Sequence, residues 1–162
     1  MSLNFKVELK KVKWSSSLSR ETNAFTADLF INGKHVGYCR NDGNGGNTDI
    51  SHENLFGKIL INEADNFFKL QKVKGYDLNN CLEFMVDELL EDYIQNKDFE
   101  RHQKKGICFG VSKQIYKQIS WKNETIESMK LTEPKRIALR KAIDGLKSKG
   151  EIILNTNLQE FK

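Results

Sequence analysis

The chain has 162 residues, with 26 Lys and Arg against 22 Asp and Glu, a net charge of +4 and a pI near 8.9. That length suits one domain and excludes a long multidomain enzyme. Ten Phe, four Tyr and two Trp exclude a wholly disordered chain, which would lack the apolar area to offset its ordering entropy. No run approaches the roughly 18 apolar residues a spanning helix needs, and residues 1–13 alternate Lys with apolar residues, unlike a secretory signal.

In chain order, Phe5, Val7 and Leu9 alternate with Lys6, Glu8 and Lys10, the period-2 pattern of a half-buried strand. The alternation slips at Lys11 and resumes with Val12 and Trp14, which predicts a bulge or strand end there. After a polar Ser-rich loop, two β-rich runs, 25–31 and 34–39, flank Asn32-Gly33. That pair predicts a type I′ hairpin, because both central residues need positive φ. With 5–14 it makes a three-stranded antiparallel sheet. Residues 41–47 hold three Gly and three Asn and form neither helix nor regular strand.

Asp49 or Ser51 then caps a first helix whose apolar face is Leu55, Phe56, Ile59, Leu60, Ala64, Phe67, Phe68 and, at its end, Leu70, with Gly57 a blemish of about 1 kcal/mol. A connection over 72–80 contains Gly75, and Asn79 or Asn80 caps a second helix. Its stripe is Leu82, Met85, Val86, Leu89, Leu90, Tyr93 and Ile94, and it runs on towards Lys105, with Gly106 as its stop. Ile107, Phe109 and Val111, then 114–121, predict a second hairpin. Thr132-Glu133-Pro134 opens a third helix with Ile137, Ala138, Ala142, Ile143 and Leu146 on its apolar face, ended by Gly150. Ile152, Ile153 and Leu154 suggest a last short strand. The expectation is a single α+β domain over 1–162: an N-terminal antiparallel sheet (3–47), a helical region (50–105), and a hairpin plus helix (106–155).

Cys39, Cys81 and Cys108 are odd in number and widely spaced, which predicts reduced thiols rather than a disulfide framework. The histidines, His35, His52 and His102, fit no zinc motif; only His35 and Cys39 are spaced so that one strand face would carry both. No P-loop, nucleophile elbow or dinucleotide fingerprint occurs, so no cofactor, metal or catalytic residue is assigned. The modest net charge hides a polarised chain. From Glu83 to Glu100 there are seven acids against Lys97, and from Arg101 to Lys149 thirteen bases against four acids. Such runs are either solvated faces or docking faces. Asp87, Glu88, Glu91 and Asp92, on neighbouring turns of one helix, would meet a basic groove on another protein, including one that normally holds nucleic acid. Asp87 and Glu91, four apart, are also the pair a metal-dependent nuclease would need. Lys104, Lys105, Lys113, Lys117, Lys135, Arg136, Arg140 and Lys141 would meet phosphates. The 41–47 loop would cradle an anion if a helix begins just after it, with Arg40 as partner, and Trp14, Tyr38 and Trp121 either stack on bases or fill the core.

The stretch Phe25-Thr26-Ala27-Asp28-Leu29-Phe30-Ile31-Asn32-Gly33-Lys34, then Gly37, then Asn41-Asp42-Gly43-Asn44-Gly45-Gly46-Asn47 resembles a pattern in small phage and prophage proteins. The resemblance spans 25–47, and the Asn- and Lys-rich usage resembles that of low-GC bacterial or phage genomes. It implies a protein acting in the cytoplasm of an infected or lysogenic bacterium, and the anti-CRISPR proteins are the best-known class of that kind. The reading that follows is a non-catalytic inhibitor of a bacterial defence effector, a CRISPR nuclease or its RNA complex. Asp87, Glu88, Glu91, Asp92, Arg40 and Asn44 would form the contact. A nucleic-acid-binding accessory protein using the basic C-terminal third is the alternative, and a metal-dependent nuclease a second one.

Overall fold

The computed structural model describes residues 4–70 and 81–161. The expected connection over 72–80, with Gly75 and a cap at Asn79 or Asn80, lies outside them. The fold is α+β, and the chain divides into two compact units, Met1–Asp92 and Tyr93–Lys162.

The first unit holds one antiparallel sheet of β1 (Val7–Trp14), β2 (Phe25–Ile31), β3 (Lys34–Asn41) and β4 (Asp49–His52), in that spatial order. Asn32 at φ 52 and Gly33 at φ 77 make the two-residue turn between β2 and β3, as the Asn-Gly pair requires. The slip at Lys11 is a bulge: Lys10 pairs with Asp28 but Lys13 with Thr26, and Lys11 sits at φ 50. One face carries Phe25, Ala27, Leu29, Ile31 and Cys39, all buried. The other carries Thr26, Asp28, Tyr38 and Arg40. A second register shift, between Leu29 and Phe30, puts His35 beside Phe30 and Cys39 beside Ala27. The two therefore lie on opposite faces and share no ligand position.

β4 corrects the sequence reading. Asp49 and Ser51 are strand residues opposite Arg40 and Tyr38, so the sheet has four strands, not three. The cap of α1 (Leu55–Lys69) is Asn54, whose side chain accepts from the Gly57 N–H at 2.9 Å. The α1 face that packs inward carries Gly57, Ala64 and Phe68, whereas Leu55, Phe56 and Ile59 are exposed. Gly57 is no blemish: a Cβ there would stand 2.2 Å from the Val36 carbonyl oxygen. The first part of α2 (Leu82–Lys105) buries Leu82, Val86 and Leu90, much as its stripe predicts.

In the second unit, the rest of α2 buries Ile94 and Phe99. β5 (Gly106–Gly110) and β6 (Tyr116–Ser120) form the second hairpin, with Gly106 following the last helical residue. α3 (Ile126–Lys130), unforeseen in the sequence, is set by a capping box: the Thr125 side chain accepts from the Ser128 N–H, and the Ser128 side chain accepts from the Thr125 N–H. α4 (Glu133–Lys147) carries Pro134 in its first turn, as expected, and Gly150 follows it at φ 76. Its buried stripe is Leu139, Ile143 and Leu146 at i, i+4 and i+7; Ile137 lies off that stripe and is 59% exposed. Ile153 forms a single bridge to Phe109 rather than a strand. The core joins Ile107, Phe109, Ile126, Met129, Leu158 and Phe161 to the α4 stripe. Among the described residues no helix is long and apolar enough to cross a membrane.

Candidate functional site

Asn41, 8% exposed at the end of β3, organises the Gly-rich loop. Its Oδ1 accepts from the Thr22 hydroxyl at 2.8 Å and from the Gly43 N–H at 2.9 Å, and its Nδ2 donates to the Gly46 carbonyl at 2.9 Å. Gly43, at φ 85, turns its carbonyl towards the N–H groups of Arg20 and Glu21, 2.9 and 3.0 Å away. The N–H of Asn44 donates to Asp42 and that of Gly45 to Thr22. The amides of Gly43, Asn44 and Gly45 are thereby taken, and a strand follows the loop rather than a helix, so the helix N-terminus expected of an anion cradle is missing. The loop is a brace, and an asparagine is its centre.

Thr48 carries the brace to α2. Its N–H donates to Glu83 Oε1 at 2.9 Å and its hydroxyl to Asp87 Oδ1 at 2.6 Å. Glu83, Asp87, Glu88 and Glu91 then line a groove of about 460 Å³ opposite Thr22, Asn23 and the loop residues Gly45, Gly46, Asn47 and Thr48. Of the residues expected to meet a partner, the fold brings Asp87, Glu88 and Glu91 together here. Asp92 and Asn44 are exposed but do not line the groove, and Arg40 stands on the outer face of the sheet. Glu83 and Thr48 were not foreseen. Glu83 is visible in sequence as one turn before Asp87, but Thr48 carries no local signal.

Among the described residues no group of three His, Cys, Asp or Glu side chains has the arrangement to hold a metal ion. Asp87 and Glu83 are directed at Thr48 instead. The three cysteines are free thiols. Burial, with Asp87 and Asp49 adding negative potential, pushes the Cys39 thiol up to about 12, and burial pushes Cys108 up to about 11.

The basic residues of the second unit do not all remain available. Lys135 is committed to Glu124 at 2.6 Å, an ion pair that raises the proton-releasing tendency of Glu124 and holds its carboxyl below the usual range. Lys113 lies 5.5 Å from the Phe99 ring and Arg140 5.8 Å from the Phe161 ring. Lys104 and Lys105 end α2, Lys117 is on β6, and Arg136, Arg140 and Lys141 are exposed on α4. Trp14, whose Nε1 donates to Asn23 at 3.3 Å, and Trp121, packed on the core, are half-buried; Tyr38 is 46% exposed. Comparison of the chain with protein-family models, curated sequences and solved structures gives no match.

Proposed function

We propose that the chain is a non-catalytic binding protein of a phage or mobile element, acting in the bacterial cytoplasm on a defence effector, a CRISPR nuclease or its RNA complex. It inhibits by occupying that effector's surface. The observation that carries the reading is the braced acidic groove: four carboxylates on two turns of α2, with Glu83 and Asp87 fixed through Thr48 to the loop that Asn41 holds. RNA-guided nucleases hold their heteroduplex in a positively charged channel. Such a set of carboxylates is complementary to that channel, and the two held by Thr48 lose little further side-chain freedom on docking. The phage-like 25–47 stretch supplies the context.

Affinity purification from bacteria that carry defence systems, paired with a plaque assay, tests this. The tagged chain is expected to recover a defence complex and to protect phage. Glu88→Lys with Glu91→Lys should weaken that capture by ~100-fold or more, because like charges set against each other cost several kcal/mol. Recovery of no defence complex, with no protection of phage, would overturn the reading. The second reading, a nucleic-acid accessory protein, is favoured by Arg136, Arg140 and Lys141 on exposed positions of α4. In the same purification it would show as nucleic acid that salt strips from the chain.

A further inference from the structure

The outer face of the four-stranded sheet concentrates side chains that the acidic groove does not use. Strict alternation along β1 would send Lys10 to one face and Lys11 and Lys13 to the other. The bulge at Lys11 cancels that separation. Lys10 pairs with Asp28, Lys13 pairs with Thr26, and Lys11 Nζ reaches Asp28 at 2.8 Å. All three lysines therefore serve the outer face. Lys13, Thr26, Arg40 and Asp49 form one row across the four strands, and Lys10, Asp28, Tyr38 and Ser51 the next. With strands about 4.8 Å apart, Lys13 and Arg40 flank a span of about 10 Å. Between and beside them lies an open depression of about 480 Å³.

Tyr38 supplies the aromatic surface. Its ring meets His35 edge-on, with centroids 5.1 Å apart, and His35 in turn meets Phe30 at 5.2 Å. His35 is held by Glu53 at 2.8 Å, and Lys10 Nζ lies 4.0 Å from the Phe30 ring centre. Tyr38 is thus exposed yet braced from one side. The face also carries acids with basic neighbours: Asp28 is answered by Lys11, Glu8 (opposite Phe30) by Lys6 at 3.1 Å and Glu53 by His35, while Asp49 stands opposite Arg40.

We infer that this face binds single-stranded nucleic acid, with an unstacked base on Tyr38 and phosphates on Lys13 and Arg40. An exposed ring among cations on an antiparallel sheet is what single strands use, since every base has a face to stack and every nucleotide a phosphate. A duplex offers no free base face for Tyr38 to stack on. The inference does not depend on the acidic groove.

Fluorescence anisotropy of the whole chain with labelled oligothymidylate, oligouridylate and a duplex tests it. Either single strand should bind more tightly than the duplex. Tyr38→Ala should weaken binding about tenfold, and Tyr38→Phe should keep it. Lys13→Gln with Arg40→Gln should reduce the slope of log affinity against log salt by about 1.4, two contacts at about 0.7 each. These last two side chains are exposed, so that variant stays informative if Tyr38→Ala folds poorly. Glu88→Lys, which tests the groove, should not weaken single-strand binding. No binding of either oligonucleotide at low salt overturns the inference. So does a duplex that binds as well, or binding that survives the sheet variants and is lost with Arg136→Gln, Arg140→Gln and Lys141→Gln.

Discussion

Gly57 shows how far a single position can mislead when read by propensity. In an isolated helix, Gly57→Ala would gain about 1 kcal/mol. Here the added Cβ would lie 2.2 Å from the Val36 carbonyl oxygen, a backbone atom of β3 that cannot step aside as a side chain can. The substitution is expected to lower stability by about 1–3 kcal/mol, the range for overpacking, and urea unfolding would measure it. A gain in stability would mean that α1 shifts on the sheet. Gly37 is under the same constraint, with Ser51 O at 1.9 Å from the position of its missing Cβ. Both glycines allow close approach within one layer of packing, a need that no local pattern reveals.

At the scale of elements, each unit places a buried asparagine where strand, loop and helix meet. Asn41 ties the end of β3 to the Gly-rich loop. Asn155, fully buried, accepts from the Cys108 N–H at 2.6 Å and donates to the carbonyls of Gln103 and Gly106 at 3.0 Å. It thereby joins the C-terminal segment to the end of α2 and to β5. Asn41→Ala is expected to cost about 3 kcal/mol, because it leaves the Gly43 N–H and Gly46 carbonyl without their partner. Asn44→Ala, at an exposed loop position, should change stability by less than about 0.5 kcal/mol. Thermal unfolding of the two variants distinguishes a loop held by its asparagine hub from one held by its glycines. The hairpin at Asn32-Gly33, the bulge at Lys11 and the α2 stripe were legible because each is encoded within a few adjacent residues or a strong period. β4 was not, since four residues with one apolar side chain carry no usable alternation. α3 was not, since its cap uses Ser128 where Glu or Gln is the familiar signal.

For the whole molecule, charge and thiols both divide between the units. Residues 1–92 carry 11 Lys and Arg against 14 Asp and Glu, and residues 93–162 carry 15 against 8. The small net charge is therefore the difference between an acidic unit and a strongly basic one. Each unit also holds one buried thiol, Cys39 in the first and Cys108 in the second. With their thiols held at about 12 and about 11, both lie far above neutral pH, and alkylation at pH 8 must wait for each unit to open. Half-exposed Cys81 should react first with iodoacetamide. Cys39 and Cys108 should follow at rates that report the opening of the two units separately, read by mass spectrometry. Prompt labelling of Cys39 in native protein would contradict the packed sheet face on which it sits.

By itself the sequence determined the α+β class, the Asn-Gly turn, the rephasing at Lys11, the long second helix and the segregation of charge along the chain. Each follows from backbone preferences or periodicity that act over a few residues. Only the tertiary structure decided which acids share a groove, which lysine is spent on Glu124, why Gly57 must be glycine, and that the bulge gathers Lys10, Lys11 and Lys13 beside Tyr38. Those outcomes depend on groups distant in sequence meeting across strands and helices, and period alone does not say which face of an element its neighbours will cover.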